Sequence, residues 1–111
     1  MDEQREIQTR ELALAQAAGV SVVAQETLRF IDAHGVPPKG HSGGQEFMND
    51  GRDGGEMLPT TDHAGNPIKY REWDVNPRSA SGGRDAERLV TGSDGSAYYS
   101  SDHYLNFIKV R

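Results

Sequence analysis

The sequence contains no cysteine. That excludes a disulfide framework, thiol catalysis and thiolate metal sites. Long apolar runs are also missing. Purely apolar stretches are short, Ala13–Leu14–Ala15 among them, against the roughly 20 residues of a membrane-spanning helix. No membrane partner is expected. No basic segment leads into an apolar one, so the sequence as given carries no secretory signal, which leaves a mature exported domain or a domain of a larger chain. Positive charge is scarce: 12 Lys and Arg face 17 Asp and Glu, a net charge of −5. That balance argues against non-specific binding of nucleic acid through a generally basic surface.

What is present is unevenly distributed. Asp2, Glu3, Glu6, Glu11 and Glu26 make the start acidic, whereas Lys69, Arg71, Arg78, Arg84 and Arg88 cluster later. An acidic protein with one local basic cluster can still hold a phosphate. A chain of 111 residues is one domain's worth, able to bury one modest core. Helix formers dominate residues 1–18, and Gly19 should end that helix. Ser21 suits an N-cap for a second helix over about 22–33, with Ala24, Thr27, Leu28 and Ile31 on one face and Gly35, Pro37 and Pro38 as its stop. Residues 35–67 are rich in turn formers, with one short strand expected over 46–49. Strands are expected over 68–75, 88–91, 96–100 and 105–110. On the first of these, Trp73 and Val75 share one face, and Tyr70, Glu72 and Asp74 share the other. Tyr98 and Tyr99 point to opposite faces of theirs, one to the core and one towards a groove. Helices followed by strands joined through short turns predict an α+β fold, the helix or helices packed on an antiparallel sheet. Residues 1–20 read as a helical lead-in or linker and 21–111 as the domain.

The chemistry candidates lie in the second half. Glu72 is on a strand's polar face, Arg84 and Arg88 are four apart, and His103 precedes the last strand. A carboxylate, two guanidinium groups and an imidazole are what phosphodiester cleavage through a neighbouring 2′-hydroxyl requires. The carboxylate removes the hydroxyl proton and the imidazolium protonates the leaving 5′-oxygen. Fixed cations stabilise the charge growing on phosphorus oxygens, and arginine meets those oxygens in pairs. The two arginines should favour the ionised form of Glu72. No metal or other cofactor is needed. Taken singly, each of these residues also fits a surface role. Asp62–His63 and Asp102–His103 lack a third clustered ligand and are weak metal candidates. His34 and His63 read as surface residues.

Their order and wording say more. The segments Tyr70–Arg71–Glu72–Trp73–Asp74, Arg84–Asp85–Ala86–Glu87–Arg88–Leu89 and Asp102–His103–Tyr104, then Phe107, closely resemble the barnase-like microbial guanyl-preferring ribonucleases. Phe47–Met48–Asn49 before Leu58–Pro59 adds to the likeness, as do Thr91–Gly92 and Tyr98–Tyr99, and the resemblance covers about residues 22–111. It implies a guanyl-preferring endoribonuclease that leaves a 2′,3′-cyclic phosphate. Glu72 would be the general base, His103 the general acid, and Arg84 and Arg88 the phosphate-binding arginines. Tyr104 would contact the substrate base, and Phe47 and Asn49 would open the guanine-recognition loop. That loop is several residues longer here than the family's Asn-Arg-Glu pattern, so Asp53 and Glu56 both stand as candidate guanine readers, with Glu56 preferred. The family's helix lysine has no clear counterpart; Lys39, His41 and Ser42 are the candidates by order. The resemblance further implies an RNA substrate, a barstar-like immunity or inhibitor protein, export and a monomer, and a toxin domain suits the charged lead-in. A catalytically inactive binding module of the same fold, a metal-dependent nuclease and a ribonuclease of relaxed base preference are the competing readings.

Overall fold

The computed structural model describes residues 19–79 and 83–111. The helix expected over 1–18 lies outside the described residues.

Helix α1 (Val22–His34) has the boundaries that its ends dictate. Ser21 caps it by accepting from the Ala24 N–H at 3.1 Å. Gly35 closes it in the left-handed conformation, its N–H donating to the Ile31 carbonyl at 2.7 Å. Ala24, Leu28 and Ile31 are buried on one face, and each large aliphatic there contributes roughly 1.5–3 kcal/mol by leaving water. The Thr27 hydroxyl donates to the Val75 carbonyl at 3.0 Å, tying the helix to the sheet.

Five strands follow: β1 (Gly43–Phe47), β2 (Tyr70–Asp74), β3 (Arg88–Gly92), β4 (Ala97–Ser100) and β5 (Ile108–Lys109). They lie side by side in chain order, every pair antiparallel. One helix on such a sheet is the α+β architecture expected from the order of the elements. Side chains alternate across the sheet and build a core on each face. Trp73, Val75, Leu89 and Tyr99 pack with Ala24, Leu28 and Ile31 on the helix face. Tyr70, Val90, Tyr98 and Leu58 form a smaller cluster opposite, flanked by Phe47, Tyr104 and Phe107. Tyr98 and Tyr99 do point to opposite faces, but both are buried, so Tyr98 forms the floor of this second cluster instead of facing a groove.

Two elements depart from the sequence reading. The strand expected over 46–49 runs instead over Gly43–Phe47. Gly43 suits this place because β1 runs against Trp73: a Cβ there would come within 3.0 Å of the Trp73 Cα and ring. The strand expected over 105–110 shrinks to Ile108–Lys109 because the preceding backbone is spent on a turn and on the loop opposite.

Candidate active site

The β2–β3 ladder sets Asp74 opposite Arg88 and Glu72 opposite Val90. The face expected to be polar is only partly so: Tyr70 and Asp74 are buried, and Glu72 is half-buried between them. Asp74 is buried as an ion-pair centre. It accepts from Arg84 Nε at 2.7 Å and from a terminal Arg84 nitrogen at 2.6 Å, a two-pronged contact. Arg88 Nε lies 3.2 Å from the same carboxylate. Arg88 is only 3% exposed, and it also donates to the Glu87 carbonyl at 2.7 Å. The Asp74 hydrogen bonds raise the pKa of Arg84, with Glu72 a lesser contributor. One buried carboxylate thus fixes two guanidinium groups and leaves the group of three net positive.

His103 and Tyr104 sit on a turn with positive φ at both residues, +54° and +73°. Such backbone is costly for residues with a Cβ and persists only where the surroundings impose it. Asp102 supplies that constraint. Its carboxylate accepts from the Asn106 N–H at 2.9 Å and from the Asn106 amide at 2.7 Å. These bonds, with one from Ser100, hold the Asp102 carboxyl below its ordinary pKa. The His103 N–H donates to the Ala86 carbonyl at 3.0 Å, and the Tyr104 N–H to the Ser100 hydroxyl at 2.9 Å. The imidazole is exposed and the Tyr104 ring partly buried, their centroids 4.9 Å apart. Burial, and then the nearby Glu72 carboxylate, push the Tyr104 hydroxyl well above the usual phenol range. It stays neutral and able to donate.

The long loop after β1 forms the opposite wall. Asn49 closes it: its amide donates to the Leu58 carbonyl at 2.9 Å and its amide oxygen accepts from the Leu58 N–H at 2.7 Å. Through its side chain Asn49 clasps the loop shut. Replacing it with alanine removes both bonds and leaves buried Leu58 backbone groups unpaired, at about 1–3 kcal/mol. Denaturant unfolding should register the loss; unchanged stability would contradict the clasp. Within the loop, Arg52 pairs with Asp50 at 2.6 Å and holds that carboxyl down to about 2. Asp53 sits at φ +57°, exposed, in a single 3₁₀ turn (Arg52–Gly54). Glu56 accepts from the Phe107 N–H at 3.0 Å, and its own N–H donates to the Leu105 carbonyl at 3.0 Å. The loop is thereby laced to the turn that carries His103. Phe47 stacks against Tyr104 with centroids 5.0 Å apart.

These parts surround one open cavity of about 540 Å³. Of the residues singled out in the sequence, Glu72, Arg84, His103, Tyr104, Phe47, Asn49, Asp53 and Glu56 line it. Arg88 does not; it stands behind, held by Asp74 and Asp85. Of the lysine counterparts considered, Lys39, His41 and Ser42 lie outside the lining, and Ser42 accepts from Arg78 at 3.1 Å. Sequence reasoning missed Asp74 and Asp102 as anchors. The available signal was Asp74 two residues beyond Glu72 on the same strand face, with basic residues downstream. Among the described residues, no three His, Asp or Glu side chains gather as a metal site.

A helix-backed antiparallel sheet carrying a carboxylate, guanidinium groups and an imidazole at one cavity is chemically equipped for proton transfer on an anionic ester. The chain belongs to the ribonuclease family, whose model, described as ribonuclease, matches residues 3–111. A protein named Ribonuclease from Heyndrickxia coagulans is 38% identical over 76 residues, which make up 68% of this chain. The chain spans 61% of that relative's length.

Proposed function

We propose that this protein is an endoribonuclease that cleaves single-stranded RNA on the 3′ side of guanosine, without a metal, leaving a 2′,3′-cyclic phosphate. The observation that carries the reading is the meeting of Glu72, Arg84, His103 and Tyr104 on one cavity, with the Asp74–Arg88 pair directly behind. Glu72 takes the proton of the 2′-hydroxyl, whose oxygen attacks phosphorus. Arg84, backed by the charge of Arg88, stabilises the negative charge that grows on the non-bridging oxygens. His103 gives its proton to the departing 5′-oxygen, and the bond from phosphorus to that oxygen breaks. In the slower second step the roles reverse: His103 activates water and Glu72 protonates the 2′-oxygen. Tyr104, as a neutral donor beside Glu72, orients substrate at the junction.

The same reading gives the protein an exported destination and a small inhibitory partner that covers the cavity. Glu56 is the carboxylate that pairs with the guanine N1 and N2 edge, because it joins the loop to the His103 turn at the cavity wall. Cleavage of GpN and ApN dinucleotides by Glu56→Ala and Asp53→Ala tests this. Glu56→Ala is expected to lose most of the preference for G, and Asp53→Ala to keep it. The reverse pattern transfers the role to Asp53; unaltered selectivity in both removes the loop from base recognition.

A further inference from the structure

A second concavity lies at the other end of β2. β1 is the edge strand, and its step from Gly43 to Gln45 spans neighbouring residues of β2, so Gly44 is the added residue of a bulge. Beside it is a cleft of about 550 Å³ whose lining includes Gly44, Glu46, Lys69, Arg71, Thr91 and Ser93. Arg71 alternates with Glu72 along β2, so its side chain leaves the sheet on the face opposite the general base. Its cross-strand neighbours are Glu46 on β1 and Thr91 on β3.

The charges here are uncommitted. Arg52, Arg84, Arg88 and Arg111 each hold a carboxylate. Lys69 and Arg71 are exposed, and among the described residues neither has a carboxylate within 4 Å. The hydroxyls beside them already accept a bond, Thr91 from the Trp73 ring N–H at 2.9 Å and Ser93 from the Lys69 N–H at 2.9 Å. Each keeps its own hydrogen to donate. Two free cations and two hydroxyl donors are the groups that hold a phosphodiester. Glu46, on the edge strand, lines both this cleft and the catalytic cavity, so an RNA strand passing from one to the other would cross β1 beside it. Its carboxylate opposes an anion at that crossing point.

We infer that this cleft is a second anion subsite, holding a phosphate of the RNA strand beyond the scissile linkage. The inference rests on the ribonuclease reading and adds to it an extended track over the edge strand. It predicts that length of RNA, and not chemistry at the cut, is what Lys69 and Arg71 sense. The test compares wild type with the Lys69→Ala/Arg71→Ala double variant. Cleavage is measured on a GpN dinucleotide and on a longer RNA with a single G. Binding is measured with the same long RNA carrying 2′-deoxyguanosine, which cannot be cut, over a range of salt.

The variant should cleave the dinucleotide like wild type but bind the long RNA several-fold more weakly. Its plot of log affinity against log salt should be shallower by about 0.7 for each phosphate that the protein no longer neutralises. Glu46→Gln should tighten binding of the long RNA. An equal loss on the dinucleotide would mean that the substitutions disturb the fold, and would overturn the subsite. Unchanged affinity and salt slope would overturn it as well, while leaving the ribonuclease reading in place. A wild type that cleaves neither substrate would overturn that reading and the subsite together.

Discussion

Replacing His103 with alanine should lower kcat for RNA cleavage by about 10²–10⁴-fold, the usual contribution of a positioned general acid. Glu72→Ala should cost a similar factor by removing the base. The two losses should not multiply in the double variant, because proton removal and proton delivery serve one displacement. The His103 change should cost little stability. His103 is exposed, and an alanine inherits the same left-handed backbone that Asp102, Ser100 and Ala86 impose on the turn. Exposed substitutions of this kind stay within about 0.5 kcal/mol. Single-turnover rates together with thermal unfolding separate the effects. A loss below tenfold for His103→Ala, in a protein folded like wild type, would remove it from the acid role.

The second large effect concerns stability. Asp74 is buried with Arg88 and accepts both prongs of Arg84. Removing one member of a buried pair costs more than the pair contributes, because the surviving charge is left in a poor solvent. In Asp74→Ala, Arg88 would keep only the more exposed Asp85, 3.6 Å away, and the Glu87 carbonyl. The expected cost is about 3–5 kcal/mol. Domains of this kind have about 5–15 kcal/mol in total, so the variant should be marginal at 37 °C. Urea unfolding measures it. Arg84→Ala should cost much less stability, because that side chain is a third exposed. A cost below about 1 kcal/mol for Asp74→Ala would mean that the pair is solvated and that Asp74 does not fix the arginines.

Much of the fold and the site is legible in the sequence for local reasons. Ser21 and Gly35 mark the ends of α1 by capping chemistry that lies within four residues of chain. Glu72, Arg84 and His103 stand out because the segments that hold them carry the family resemblance and their side-chain types suit the proposed chemistry. The features that escape a sequence reading are made by partners distant along the chain. Gly43 and Gly44 read as turn formers, yet they belong to a strand, and at Gly43 the backbone and ring of Trp73 occupy the space a side chain would need. The last strand looks long because Leu105 and Phe107 are apolar, while Asp102 and Glu56 claim the N–H groups of Asn106 and Phe107. The resemblance places Asn49 at the start of the recognition loop, but it does not show the clasp. Its two bonds to Leu58, nine residues on, exist only once the loop is closed. Arg88 pairs with Arg84 by spacing, but Asp74 and Asp85 draw it behind the cavity.

Transphosphorylation at guanosine by Glu72 and His103 can be followed with short RNAs that carry a single G, A, C or U at a defined position, incubated with the protein in EDTA and read by mass. A 2′,3′-cyclic phosphate is expected on the fragment ending in G, and should be absent with Glu72→Ala and with His103→Ala. Cyclic phosphates after all four bases would keep the mechanism and remove the guanine assignment. Intact RNA after incubation with folded wild type, or fragments ending in a 3′-hydroxyl, would overturn the proposed reaction.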